Sequence, residues 1–79
     1  MANQPRALVT DLAAKQKTSR IYDLCAKLYP DEFGQIFIAK REVFRDWMNA
    51  KTGSNECHIT DKHHALDTWL SILEYMNKG

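Results

Sequence analysis

The chain has little of what defines many protein classes. Its 79 residues include only three glycines, two prolines and two cysteines, and eleven basic residues nearly balance ten acidic ones. No apolar run approaches the roughly 18 residues that a membrane span needs, and the N-terminal segment lacks the contiguous apolar core of a signal peptide. The near-neutral charge excludes a dedicated nucleic-acid packaging protein, but a local basic face is still compatible with it.

The shortage of glycine also excludes common nucleotide sites, because the three glycines are not spaced as in a phosphate-binding loop. Two acidic pairs occur. Asp31 and Glu32 suit the positive end of a helix dipole, and Glu42 with Asp46 lies one turn apart on a polar face. Neither pair has a recognisable catalytic frame, so the sequence predicts a protein that is not an enzyme.

The cysteines and histidines predict neither a disulfide framework nor a metal site. Cys25 lies among apolar residues and Cys57 lies in a polar segment, which indicates two reduced thiols in a cytoplasmic protein. Four potential ligands fall close together, namely Cys57, His58, His63 and His64. Zinc favours spaced pairs, and adjacent side chains on a helix point about 100° apart. We therefore expect no metal and no cofactor.

Apolar spacing predicts three or four helices in a single domain, residues 1–79, after a loose leader over residues 1–5. A weak first helix within Arg6–Gln16, starting as late as Asp11, is followed by a polar break at Lys15–Arg20. A second helix spans about Ser19–Tyr29 and ends there because Pro30 disfavours helical geometry in the preceding residue. The last helix spans about Asp61–Met76, with Asp61 near its N-cap.

The central segment, Asp31–Lys51, carries the clearest apolar stripe and predicts one long helix ending before Gly53. A second interpretation is also open. Gly34 costs about 1 kcal/mol inside a helix, and Gln35–Ile38 could form a short strand, with the helix beginning near Ala39 or Lys40.

These patterns predict an all-α fold: a small bundle of three to four helices, or a helix-turn-helix or winged-helix-like variant with one short strand. The two tryptophans carry the largest apolar areas, so we expect Trp47 and Trp69 to pack near each other in the core.

The leading functional hypothesis is DNA binding in transcription regulation. A polar stripe on the central helix precedes a loop and a helix with a basic, amide-rich start, which is how helix-turn-helix proteins present a reading helix to the major groove. Base contacts are predicted for Thr60, Lys62 and His63, and phosphate contacts for a cationic stripe. The full set of predicted nucleic-acid-binding residues is Lys40, Arg41, Arg45, Asn49, Lys51, Thr60, Lys62 and His63.

The alternative hypothesis is a protein-interaction module, an adaptor or inhibitor that docks on a larger protein. So small a core cannot bury all of its large aromatic side chains, which include Tyr22, Tyr29, Trp69 and Tyr75. Those left outside would form an apolar patch for a partner or for a symmetric homodimer. The salt dependence of binding distinguishes the two hypotheses. Affinity for DNA falls steeply as salt is added, whereas affinity through an aromatic contact surface should depend only weakly on salt.

About half of the chain resembles a known structural unit. The run FIAKREVFRDWMNAKTG followed by ITDKHHALDTWL is similar to the helix–loop–helix part of winged-helix modules in phage and plasmid replication or regulatory proteins. The likeness lies mostly in apolar spacing and in a tryptophan near the helix end. It implies a small phage-like regulator that contacts nucleic acid, and no residue role is carried over from it.

Overall fold

A computed structural model describes the backbone of residues 5–79 and the side chains from Leu12 onward. It contains four helices: α1 (Pro5–Leu28), α2 (Pro30–Phe37), α3 (Arg41–Thr52) and α4 (Lys62–Lys78). No strand occurs within residues 5–79, so the prediction of a small all-α bundle is confirmed. The predicted leader, residues 1–5, lies outside the described part except for Pro5, which begins α1.

Helices α1 and α4 form the frame of the bundle. Lys17 forms an ion pair with Asp67, and Arg20, about one turn further along α1, pairs with Glu74, about two turns further along α4. The pairs advance in the same direction along each helix, so α1 and α4 run parallel. None of the helices within the described range is both long and apolar enough to cross a bilayer.

The predicted break at Lys15–Arg20 is wrong, because α1 continues through it, as it does through the proposed start at Asp11. The segment lacks large apolar residues, yet the small Ala14 is buried just before it and Ile21 just after it. Thr18 donates from Oγ1 to the carbonyl of Ala14, which is compatible with an uninterrupted helix. Polar side chains in this segment reach α4 by ion pairs, so a stripe of large apolar residues is not required there.

The end of α1 agrees with its prediction. The helix ends at Leu28, Tyr29 leaves helical geometry with φ −131° and ψ 60°, and Pro30 opens α2. Proline suits a first helical position, where the N–H it lacks would have no partner inside the helix. Asp31 and Glu32 lie in the first turn of α2, at the positive end of its dipole.

The central segment is neither one long helix nor a strand followed by a helix. Helix α2 runs through Phe37, three residues follow outside helical geometry, and α3 begins at Arg41, so the strand expected at Gln35–Ile38 is absent. Lys40 is the extended N-cap of α3, with φ −65° and ψ 158°. The break lets two short apolar faces reach the same core from different directions, since Phe33 and Phe44 both pack against the Tyr22 ring.

Helix α3 ends as expected at Gly53, which has φ +69° and caps the helix in the left-handed conformation. A loop then leads to α4. Asp61 is its N-cap, and the Asp61 carboxylate accepts the backbone N–H of His64 at 3.3 Å. Both helix ends were predicted from residue chemistry alone.

The core is made by α1, α3 and α4. Its fully buried large side chains are Ile21, Leu24, Cys25, Met48, Leu66, Trp69 and Leu73. The two tryptophans do not pack as predicted. Trp69 lies against Phe44, with ring centroids 5.8 Å apart, whereas half-buried Trp47 lies edge-on to Tyr29 at 5.4 Å. Trp47 also donates from its indole N–H to Glu32 of α2, so the two indoles lie in different environments.

Candidate functional site

A cavity of about 220 Å³ opens where α2 turns into α3. Its wall comes from α1, from the α2–α3 corner (residues 36–44) and from the loop before α4. The lining residues are Tyr22, Ile36, Phe37, Ala39, Arg41, Phe44 and His58. We call this the corner cavity. Six of its seven side chains are apolar or aromatic rings, and the seventh is a cation, so it is suited to an apolar group next to an anionic one.

His58 forms one wall of the corner cavity. Its ring centroid lies 5.4 Å from that of Trp69 and 6.0 Å from that of Phe44, and its Nδ1 is buried without a hydrogen-bond partner. Burial lowers the pKa of His58 below its ordinary value of 6.5, and the nearby charges of Lys62 and Arg41 lower it further. His58 is therefore a neutral aromatic surface at neutral pH.

The rim of the cavity exposes large apolar side chains. Phe37 is 56% exposed and Ile38 is 81% exposed, and Val43 and Ile59 are exposed as well. Phe37 still contacts Tyr22 edge-on, with centroids 5.2 Å apart. Exposed apolar residues scattered singly are ordinary, but adjacent exposed apolar residues beside a cavity are typical of an interaction surface.

Four of the predicted nucleic-acid-binding residues are exposed basic residues at the N-terminal ends of two helices. Lys40 and Arg41 begin α3, and Lys62 and His63 begin α4. None of the four has an acidic partner among the side chains described. The positive charges of Arg41 and Lys62 both lower the pKa of His58. The structure therefore places these two cations, which are distant in the sequence, near the same side chain. Their charge adds to the positive ends of the helix dipoles.

Two other predicted cations are engaged within the chain. Arg45 pairs with Asp46 at 3.0 Å. Lys51 pairs with Glu32 at 3.0 Å and lies over the rings of Tyr29 and Trp47. The Trp47 indole N–H also donates to Glu32, at 2.8 Å. This hydrogen bond lowers the pKa of Glu32 most, and the hydrogen bond from Lys51 lowers it further. Lys51 therefore links α3 to α2, whereas the Arg45–Asp46 pair lies within α3.

Asn49 and Thr60 also have partners inside the chain. The Asn49 side chain donates to the carbonyl of Glu56 and accepts from its backbone N–H, and it accepts the indole N–H of Trp69. The sulfur of Cys57 accepts hydrogen bonds from Thr60, and these bonds lower the pKa of the Cys57 thiol. The bond from the Thr60 hydroxyl has the larger effect and the bond from its backbone N–H the smaller one. We leave both residues out of the interaction surface.

Sequence reasoning missed the apolar half of this surface. Ile36 and Phe37 were assigned to a buried stripe, and His58 was considered only as a metal ligand. The usable signal was the run from Ile36 through Ile38, because three consecutive helical side chains spread over about 200° of the helix surface, more than one buried face covers. One of them had to face water, and Ile38 does.

Within residues 5–79 no group of three histidine, cysteine or carboxylate side chains is placed to hold a metal ion. Comparison with known proteins adds no family to this description: no family model, curated protein or solved structure matches the chain.

Proposed function

We propose that this domain is a non-catalytic protein-interaction module that docks on a larger protein through the corner cavity and its rim. The observation that carries the proposal is the exposure of Phe37 and Ile38 beside the corner cavity. The proposal includes a cytoplasmic location, supported by two free thiols, Cys25 and Cys57.

Energetics favour this surface over the rest of the molecule. Side chains of the size of Phe37 and Ile38 each gain about 1.5–3 kcal/mol when fully buried, and an anchor residue of a partner gains as much in the cavity. Such central apolar contacts dominate the affinity of most protein interfaces, while the surrounding charges set specificity and association rate. The corner offers both kinds of contact.

Selection from a random peptide library displayed on phage tests the proposal. Peptides enriched on the wild-type domain should bind Ile38→Asp and Phe37→Ser at least about tenfold more weakly, a loss of about 1.4 kcal/mol. Tyr75→Ser is the matched control, because Tyr75 is also a large aromatic side chain and is 79% exposed, but lies near the end of α4. Equal loss in the control, or binders indifferent to the corner, would contradict the proposal.

DNA binding is the second candidate, and one observation favours it. The basic residues Lys40, Arg41, Lys62 and His63 are exposed without acidic partners in the described part of the chain. Arg41 and Lys62 both lie close enough to His58 to lower its pKa, and phosphates could contact this pair of cations.

A titration of a fluorescent duplex tests this second candidate. Arg41→Glu should abolish binding, whereas Arg45→Glu should change it little because Arg45 is already paired with Asp46. Wild-type affinity should fall steeply between about 50 and 200 mM salt. Equal effects of the two substitutions, or affinity independent of salt, would exclude the duplex as ligand.

A further inference from the structure

We propose that the corner cavity recognises an acidic segment of a partner protein that carries one phenylalanine or leucine as its anchor. This inference rests on the proposed function and specifies the chemistry of the partner. The anchor occupies the cavity against Tyr22 and Phe44, which line it side by side, and carboxylates beside the anchor face Arg41 and Lys62.

The size of the cavity selects a single large side chain. A protein cavity of about 150 Å³ lined by apolar side chains is enough to hold benzene, and the corner cavity measures about 220 Å³. Its aromatic wall offers edge and face contacts to a phenyl ring, since Tyr22 and Phe44 stand at 89° to each other with centroids 5.8 Å apart. An alanine would leave most of this space empty.

The charge around the cavity selects acidic flanks. Arg41 lines the cavity and none of the lining residues is acidic. Lys40 and Lys62 stand at the starts of α3 and α4, where the helix dipoles also attract negative charge. A basic segment would meet the like charges of Lys40, Arg41 and Lys62, and a neutral segment would leave these cations without a partner.

Three synthetic probes test the inference by ¹H–¹⁵N NMR titration of the full chain: acetyl-DEDFEDE-amide, acetyl-DEDAEDE-amide and acetyl-KRKFKRK-amide. The acidic phenylalanine peptide should shift the amide signals of Tyr22, Phe44 and His58. The alanine peptide should bind at least tenfold more weakly, and the basic peptide should cause no shifts there. Equal binding of the two acidic peptides, or shifts centred elsewhere, would overturn the inference.

Two substitutions separate the anchor from the charge. Ala39→Trp fills the cavity and should remove the preference for phenylalanine over alanine, whereas Ala50→Trp, at an exposed position of α3, should retain it. Arg41→Glu should weaken the acidic peptide at least tenfold. Lys78→Glu, at the other end of α4 and about 24 Å along that helix from Lys62, should not. If Ala39→Trp does not fold, the surface substitution Arg41→Glu decides the outcome.

The inference and the proposed function fail differently. If display selects peptides that need Phe37 and Ile38 but carry no acidic residues, or bind Arg41→Glu normally, the module stands and the acidic partner is wrong. If no selected peptide depends on the corner and the acidic phenylalanine probe does not bind, both are wrong.

Discussion

The indole N–H of Trp69 donates a hydrogen bond to the side-chain oxygen of Asn49, with 3.0 Å between Nε1 and Oδ1. Trp69 is fully buried in α4, and Asn49 lies near the end of α3. The same amide makes two bonds to the backbone of Glu56 in the following loop. Asn49 therefore ties the core, α3 and the loop together.

We expect Asn49→Ala to destabilise the protein by about 2–3 kcal/mol. The substitution leaves the buried indole N–H of Trp69 without an acceptor, and an unsatisfied buried donor costs roughly 1–3 kcal/mol before the loop bonds are counted. Urea unfolding followed by circular dichroism measures the loss. Asn55→Ala, at an exposed loop position, is the control and should cost little.

A double-mutant cycle with Trp69→Phe isolates the indole bond. Phenylalanine removes the donor, so Asn49→Ala should cost less in that background than in the wild type. Equal costs in both backgrounds would mean that the bond between Asn49 and Trp69 does not contribute to stability.

The pH dependence of stability should report on His58. Its pKa is lowered in the folded state by burial and by Lys62 and Arg41, so the unfolded chain binds the proton more readily. The stabilising contribution is complete above the ordinary pKa of about 6.5. It is lost as the pH falls through the lower folded-state value.

His58→Phe should flatten the stability profile in the acidic range. The substitution keeps a ring against Phe44 and Trp69 but cannot bind a proton, so urea midpoints between about pH 7.5 and pH 5 should fall less than in the wild type. His63→Gln, which changes an exposed histidine, should retain the wild-type slope. Parallel profiles for wild type and His58→Phe would contradict this assignment.

The two thiols should differ sharply in reactivity. Burial raises the pKa of Cys25 to about 12, and its sulfur lies 3.6 Å from that of Met48. Cys57 is exposed, and hydrogen bonds from Thr60, with a smaller effect of Arg45, lower its pKa. The thiolate is the reactive form, so iodoacetamide should modify Cys57 rapidly in the native protein and Cys25 only after unfolding.

Mass spectrometry of the alkylated chain checks this order. Cys57→Ser should remove the rapid step entirely, and Thr60→Val should slow it because the bond from the hydroxyl to the sulfur is lost. Two thiols reacting at the same native rate would contradict the burial of Cys25.

Local residue chemistry predicted the helix ends, and long-range packing decided the rest. Pro30, Gly53 and Asp61 act on their immediate neighbours, so their effects could be predicted without a structure. The polar segment Lys15–Arg20 stays helical because its partners lie on α4, more than forty residues away in the chain. The spacing of apolar residues along one segment carries no information about ion-pair partners on a distant helix.

The candidate site was predictable only in part for the same reason. Arg41 and Lys62 could be recognised as exposed helix-start cations, but their proximity to His58 depends on how the loop before α4 folds. Asn49 looked like a surface residue because only Trp69, twenty positions later, identifies its role. The kink at Ile38–Lys40 creates the corner cavity. It contains no proline or glycine, so the sequence gives no local signal from which the kink could be predicted.

Two glycine-to-alanine substitutions should have opposite effects on stability. Gly34 lies inside α2 with no atom within 4 Å of an added Cβ, so Gly34→Ala should stabilise the fold by about 0.5–1 kcal/mol through a lower entropy of the unfolded chain. Gly53 also has open space around it, but its φ is +69°. Gly53→Ala should cost about 1–2 kcal/mol from backbone strain alone.

Thermal and urea unfolding of both variants measure this difference. The comparison is matched because each substitution adds one methyl group to a glycine with no neighbour to clash with it, so only the backbone conformation differs. Gly53→Asn should recover part of the loss, since asparagine tolerates the left-handed region better than alanine. If Gly53→Ala were neutral, α3 would not end in a left-handed cap, and a destabilising Gly34→Ala would mean that α2 is not helical at that position.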